Sequence, residues 1–563
     1  MLEGELPHKD FDEIYTGGLS YLHALAFKLL GLRLISLRIV LLGFSVLFVA
    51  ALYLLAVRLV RPGVAACVVL LGLCWSVPNY FAGVPSWYNL FLATFGTLMF
   101  FKYIDTEQRR WLFLAGSCTG VSIVVKITGV YFLAAGVLFL LFREGLLTRS
   151  RIAGTPTGIS GFLLLKAFGG LCFAGMLLAV LRSRLTAADL FLFAVPGLAL
   201  YGLVLWDELH GSTGRFATRF GGLLEELLPF GAGCLVPIAV FLSAYAATGS
   251  LDDLYRGLFV LPLKRFAHAS LDLPPFWTMI AAAPYSTLLV LRPSIQTRAH
   301  RLAFAVVLMM LAVMLVAGRQ PLVQGLVWSS VRALPAVAAL AGCSLLARAR
   351  PGALSLERRQ QLFLILTVAA LHSLIQLPFS APIYFCYTAP LVVLAIVAVV
   401  SAQGGSAGRL HLAALAFYLV FAVVWMNTGH PGGRRSDRPD SLLSLDRGGI
   451  RVSRKDKIVY EGVISTLRAR QPGLYTYAAP DCPEIYFLSG LKNPTRILFD
   501  FLREGPTRGR EVIELLETHR INAAVINREP EFSGNLNADV IAALRKDLPY
   551  SAEVGQFEVR WRR

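Results

Sequence analysis

Charge is scarce in this 563-residue chain. Only 16% of its residues are Asp, Glu, Lys or Arg, where soluble globular proteins carry about 25%. Apolar residues make up 56% and the mean hydropathy is +0.63. That deficit excludes an ordinary water-soluble enzyme. Paired cysteines are lacking too. Of the eight, Cys67, Cys74, Cys118, Cys172, Cys234, Cys343 and Cys386 lie in or beside apolar runs, and only Cys482 falls in the polar tail. The tail therefore cannot close an internal disulfide, and no CxxC or CxxxH spacing offers a zinc site. The eight read as small apolar fillers. No internal repeat or low-complexity tract is present, and residues 1–18 lack the charged and apolar regions of a signal peptide.

What is present is a series of apolar runs of roughly 16–22 residues, the length that crosses a bilayer core. They begin at 36–57, continue through 63–78, 87–101, 111–125, 127–142, 161–181, 188–206, 228–247, 276–291, 302–317, 321–346, 361–377 and 384–402, and end at 410–427. The expected fold is a polytopic α-helical membrane protein of about 12–14 spans with a C-terminal extracytoplasmic α/β domain. The net charge of +18 belongs mainly to the membrane part: residues 1–433 hold 31 Lys+Arg against 17 Asp+Glu, and the remainder 22 against 18. A basic excess spread along loops fits the positive-inside rule and anionic membrane lipids. It does not fit nucleic-acid binding, which needs a compact basic surface.

Loop charges suggest an orientation. Arg58 and Arg61, Lys102, Arg109 and Arg110, Arg143, Arg149 and Arg151, Arg292, Arg298 and Arg301, and Arg348, Arg350, Arg358 and Arg359 fall on one side if the spans alternate. That side should be the cytoplasm. Arg182 and Arg184 are the exceptions. Residues 1–30, the 248–275 loop, the Gln376–Tyr387 turn and the tail then share the outer side of a bacterial-type cytoplasmic (inner) membrane. Four divisions follow: 1–30, an outer loop with an amphipathic interfacial helix ended by Gly31; 31–428, the membrane domain; 429–439, a Gly/Arg-rich linker; and 440–563, a small α/β domain. In that domain Asp456–Arg468 and Glu511–His519 have helical spacing, while Leu474–Ala478, Ala523–Asn527 and Gly555–Trp561 read as strands.

Between Gly4 and Tyr15 the first loop gathers Glu5, His8, Lys9, Asp10, Asp12 and Glu13. A dry membrane edge raises a carboxylate's pKa and suits it as a general base. The plainer reading of the same stretch is a solvated loop. Lys126 sits between two apolar runs, where an ionisable group either serves function or snorkels to the interface. Arg256 and Arg265 bring cations to the 248–275 loop, for a phosphate or for lipid headgroups. Gln376, Tyr384 and Tyr387 bring polar groups to a late turn, as substrate ligands or as aromatic-belt residues. His372 reads as a core histidine. The turn-rich Pro483–Arg496 stretch either covers an acceptor or is a loop of the α/β domain.

Three segments carry a resemblance. They are Gly4-x-Leu6-Pro7-His8-Lys9-Asp10-Phe11 followed by an amphipathic helix and Leu37-Arg38; Trp111 through Lys126, a Gly-rich helix closed by a lysine; and Tyr384-Phe385-Cys386-Tyr387-Thr388-Ala389-Pro390. In order and spacing they resemble the GT-C superfamily of glycosyltransferases, in its protein mannosyltransferase-like branch (glycosyltransferase family 39 and the lipid A sugar transferases). The resemblance covers the membrane part and, more loosely, the tail. It implies transfer of a sugar from a polyprenyl-phosphate donor to an extracytoplasmic lipid, glycan or protein acceptor by inverting displacement. Asp10 matches the family's second loop acid; Asp12 and Glu13 are extra acids that would substitute for others. His8, Gln376, Tyr384 and Tyr387 would contact substrate, and Lys126, Arg256 and Arg265 the donor phosphate. No cofactor is required by this reading; a divalent metal, if used, would be held by carboxylates. The family's first acidic pair would lie before Met1, so the reading expects either an upstream start or the loss of that pair. Two other functions remain open: a lipid-linked saccharide transporter or flippase, which should show paired halves with interrupted helices, and a non-catalytic GT-C-like membrane protein.

Overall fold

The computed structural model describes residues 1–151, 161–182, 185–211, 215–263, 273, 275–282, 297–318, 320–349, 353–403, 408–425, 439–470, 473–500, 508–531 and 533–562. Its longer helices in chain order are α1 (Gly18–Leu30), α2 (Leu34–Ala56), α3 (Pro62–Cys74), α4 (Pro85–Thr106), α5 (Arg109–Val125), α6 (Val130–Arg151), α7 (Gly161–Leu181), α8 (Val195–Gly211), α9 (Phe216–Ala247), α10 (Thr297–Ala317), α11 (Pro321–Arg348), α12 (Leu356–His372), α13 (Ala389–Gln403) and α14 (Gly408–Trp425). Among the described residues seven helical stretches are long and apolar enough to cross a bilayer: Leu34–Ala56, Pro62–Asn79, Ile127–Arg149, Gly161–Leu181, Ala187–His210, Phe216–Ala247 and Pro321–Arg348. The other expected runs form helices as well, except 276–291, of which only 276–282 is described, as a 3₁₀ turn. Of the expected linker, only residue 439 is described. The chain divides into two compact units: residues 43–240 with 271–431, and residues 1–42 with 241–270 and 432–563.

In the first of these, the membrane unit, α4 packs along α5, α6 along α12, and α11 against α8, α12 and α13. Close approach of α5 and α9 rests on glycine. A Cβ on Gly116 would stand 2.0 Å from the Phe230 carbonyl oxygen, one on Gly120 2.2 Å from that of Cys234, and one on Gly233 2.0 Å from that of Phe113. This is small-residue packing of the kind that holds membrane helices together where no hydrophobic force distinguishes partner from lipid. By contrast α7 turns Leu164, Phe168 and Leu171 outward, which suits a helix whose outer solvent is hydrocarbon.

One end of the membrane unit gathers the basic loops. Arg58 pairs with Asp105 and reaches Glu357 at 3.6 Å. Buried Arg143 donates to Glu226 (3.0 Å), Glu107 (3.1 Å) and Gln360 (2.5 Å). Deeper still, Arg219 and Lys166 face Glu144 and Glu208 in a closed cluster: Arg219 Nε to Glu144 Oε1 2.6 Å, Nη1 to Glu208 Oε1 2.7 Å, and Lys166 Nζ to Glu208 Oε2 2.9 Å. Two cations and two anions, all buried, balance. Pairing of this kind offsets the desolvation that burying charge costs.

In the second unit the tail forms a four-stranded sheet of order β3-β4-β6-β5, from β3 (Tyr477–Ala479), β4 (Ala523–Asn527), β5 (Tyr550–Val554) and β6 (Phe557–Trp561), after a short ribbon of β1 (Ser441–Leu442) and β2 (Arg451–Val452). β3 and β4 run parallel, and β6 lies antiparallel to both β4 and β5. Every residue of β4 is buried, as in a strand covered on both faces. Val525 and Ala523 face α15 (Arg454–Arg470) and α16 (Pro483–Ser489) in one core. Ala524 and Ile526 face α17 (Arg508–Thr518) and α18 (Ala538–Asp547) in the other. The terminal hairpin closes at Gly555, whose φ of +60° favours glycine. α1 joins this unit, with Phe27 stacked on Phe487 at 5.5 Å.

Candidate active site

The first loop folds tightly. His8 N donates to the Phe11 carbonyl (2.8 Å), and Asp10 N to that of Leu6 (2.9 Å). Leu6 N donates to Asp10 Oδ2 at 2.6 Å. Asp10 is exposed, so the carboxylate that closes the turn also faces outward. Glu13 serves the entry to α1, taking Ile14 N (2.9 Å), Tyr15 N (3.2 Å) and Ser20 Oγ (2.8 Å). Acidic groups there suit the helix dipole. Asp12 is buried, and its N–H donates to the Arg496 carbonyl at 2.9 Å. The three loop acids thus have three different surroundings.

His8 is wedged. Its Nε2 lies 3.1 Å from the Thr16 carbonyl, and a Cβ on Gly257 would stand 1.9 Å from its Nδ1. Burial pushes its imidazole pKa below the ordinary value, against the opposing pull of the Thr16 carbonyl and the Glu13 and Asp12 charges. Arg496 donates to the His8 carbonyl and stands 4.0 Å from Asp253. Lys492 binds Glu3 at 2.6 Å, which lowers the Glu3 pKa and raises that of Lys492. The unit therefore brings the first loop, the 253–257 stretch and the 492–496 stretch of the tail into contact. Arg256 is exposed beside Gly257. Arg265 lies outside the described residues.

In the membrane unit Lys126 stands where α5 breaks. Its backbone is extended, and a 3₁₀ turn, Ile127–Gly129, leads into α6. A Cβ on Gly129 would fall 2.4 Å from Ile123 N, so the tight turn demands glycine. Lys126 Nζ donates to Ser86 Oγ at 2.9 Å and stands 6.0 Å from the Tyr384 ring. Tyr384 meets Tyr387 edge-on at 5.6 Å, and Tyr387 meets Trp87 at 4.5 Å. Lys126, Tyr384 and Tyr387 are thus brought together. Gln376 is buried and donates to the Ser373 carbonyl at 3.2 Å. His372 is buried too.

A buried cation escaped the sequence reading. Arg332 lies within α11 and donates through Nη2 to the Ser380 carbonyl at 2.7 Å, with no partner for its Nε among the described residues. The signal was there, since a lone arginine stands eleven residues inside an apolar run, and such a residue is a functional candidate by default. Arg496 was read only as the end of a turn-rich loop; nothing in its local sequence announces its hold on His8. Among the described residues no three His, Cys, Asp or Glu side chains converge to hold a metal ion.

The model of the dolichyl-phosphate-mannose-protein mannosyltransferase family matches residues 18–168. No curated protein and no solved structure matches the chain. The matched segment contains α1 through α6 and Lys126; the loop acids, Arg256 and the 376–387 turn lie outside it. Over that segment the chain resembles the protein mannosyltransferases, and the match supports a multi-pass membrane glycosyltransferase of the GT-C type.

Proposed function

We propose that this chain transfers a sugar from a polyprenyl-phosphate donor to a lipid, glycan or protein acceptor outside the cytoplasmic membrane, by a single inverting displacement. The acceptor oxygen attacks the anomeric carbon as the bond from that carbon to the phosphate oxygen breaks. The bonding pair leaves with polyprenyl phosphate, and the acceptor proton passes to a carboxylate of the first loop. Asp10 is the preferred base because it is exposed, whereas Asp12 is buried and both Glu13 oxygens serve the start of α1. Lys126 meets the growing phosphate charge; Arg256 and Arg265 of the 248–275 loop are separate candidates for the donor phosphate. A fixed cation aimed at developing charge is worth most in a dry site. His8 shapes the loop against Gly257, and Tyr384 and Tyr387 wall the surroundings of Lys126; Gln376 would act with them on the substrate.

The observation that carries the reading is Lys126. It is a cation fixed on Ser86 at a helix break, inside the segment that resembles the mannosyltransferases. The test is transfer of radiolabelled sugar from polyprenyl phosphate by the purified protein, across a panel of donors. Lys126→Gln and Asp10→Asn should each lower transfer about 100-fold. Absence of transfer from every donor by well-folded protein would overturn the reading. Movement of a lipid-linked saccharide across vesicles by that same protein would replace it with a flippase.

A further inference from the structure

The basic end of the membrane unit holds a crevice unrelated to Lys126. It has a volume of about 190 Å³ and lies where α6, α8, α11 and α12 end or begin. Its floor is apolar: Phe142, Leu146, Leu203 and Leu346 are all buried. Its rim is charged. Arg149 Nη1 donates to Asp207 Oδ1 at 3.1 Å, and Arg359 Nη2 donates to the Leu346 carbonyl at 3.1 Å. Two arginines face one carboxylate here: Asp207 is hydrogen-bonded to Arg149 and also acts on Arg359 across a longer distance, and no carboxylate among the described residues stands at ion-pair distance from Arg359. Arg359 Nε also has no hydrogen-bond partner there. Trp206, on the rim, is 50% exposed, and Leu209 one turn further along α8 is 54% exposed.

We propose that this crevice binds one anionic phospholipid, with the headgroup phosphate on Arg359 and Arg149 and the upper part of one acyl chain on the floor. Three features select this occupant. A residual single positive charge matches a phosphodiester. An apolar floor suits an acyl chain and gives a free phosphate nothing to bind. Exposed Trp and Leu together in the last turns of a membrane helix suit a membrane interface, where basic pockets between helices hold anionic headgroups. Asp207 holds Arg149 through Oδ1 and is the more buried of the two, its side chain 12% exposed against 47% for Arg149, so the cation is what the rim presents outward.

The experiment is native mass spectrometry of the full chain, released from micelles doped equally with phosphatidylglycerol and phosphatidylcholine. Wild type should retain phosphatidylglycerol in preference. Arg359→Gln should lower that retention about fivefold, the effect of one interfacial arginine. Leu203→Phe, which keeps both arginines and fills the floor, should lower it as well. Millimolar inorganic phosphate should not displace the lipid. Equal retention of the two lipids by wild type would overturn the proposal. So would unchanged retention in both variants, or displacement by inorganic phosphate, which would mark the rim as a simple anion site.

Discussion

Gly116 and Gly120 set how near α5 comes to α9, and their replacement gives a sharp test. A Cβ at these positions would stand 2.0 and 2.2 Å from backbone carbonyl oxygens of α9. Ordinary contacts between such atoms are more than an ångström longer, and a carbonyl in a helix cannot swing aside as a side chain can. The helices must part. Overpacking of this kind costs typically about 1–3 kcal/mol. Ala is intrinsically the better helix former by about 0.5–1 kcal/mol, so the net loss for Gly120→Ala is on the order of 0.5–2 kcal/mol. The control is internal. An added Cβ would meet nothing within 4 Å at Gly175 in α7 or at Gly202 in α8, so Ala there should be neutral or stabilising. Thermal melts of the four single variants in one detergent should place Gly116→Ala and Gly120→Ala below wild type by a few degrees, and the two controls at or above it. Transfer should fall along with stability in the first pair alone, because α5 ends at Lys126 and a shifted α5 carries Nζ away from Ser86. Equal melting of Gly120→Ala and Gly175→Ala would refute the close approach and, with it, this account of why the Trp111–Lys126 segment is rich in glycine.

Two further outcomes follow from buried charge. Arg219→Met leaves Glu144 and Glu208 with Lys166 alone, one anion in excess, and should destabilise the membrane unit by about 3–5 kcal/mol. Adding Glu208→Gln restores the balance and should recover part of that loss in a denaturing-detergent titration; a double variant no more stable than the single one would show that charge balance is not what holds the cluster. His8 supplies a pH test. Its folded pKa is depressed by burial, so between that value and the ordinary one the unfolded chain takes a proton that the folded chain refuses. The stability from His8 is complete above the ordinary histidine range, at about 6.5, and is lost as pH falls through it. The melting temperature of wild type should drop more steeply than that of His8→Gln between pH 7.5 and 5, and parallel pH curves would contradict the burial.

How far the sequence carried depended on which physical rule was in charge. Apolar length is read by the bilayer directly, so runs such as 161–181 and 321–346 coincide with α7 and α11 almost to the residue. A short continuous apolar run marked β4 and alternation marked β6, because a strand covered on both faces or on one leaves a compositional trace. Lys126 was legible since an ionisable group between apolar runs is conspicuous; the structure adds its hold on Ser86 and its approach to Tyr384, which their distance in sequence hid. Arg332 shows the opposite failure. It is just as conspicuous in sequence, but its partner, the Ser380 carbonyl, lies 48 residues away and leaves no local trace. The loop acids could not be ranked at all from sequence. Asp10, Asp12 and Glu13 are within four residues of one another and chemically alike. What separates them is one turn closed by Leu6 N, one backbone contact from Arg496 almost five hundred residues away, and one helix start at Ser20. A carboxylate's role is decided by such neighbours, which is why the choice of Asp10 as base rests on its exposure and Asp12→Asn is the variant to set beside Asp10→Asn. If Asp10 is the base, Asp12→Asn should keep most of the transfer activity, since its buried carboxylate has no path to an acceptor while the loop stays closed. If Asp12→Asn instead abolishes transfer at unchanged melting temperature, the loop must open during turnover, and the base is the acid that this closed state conceals.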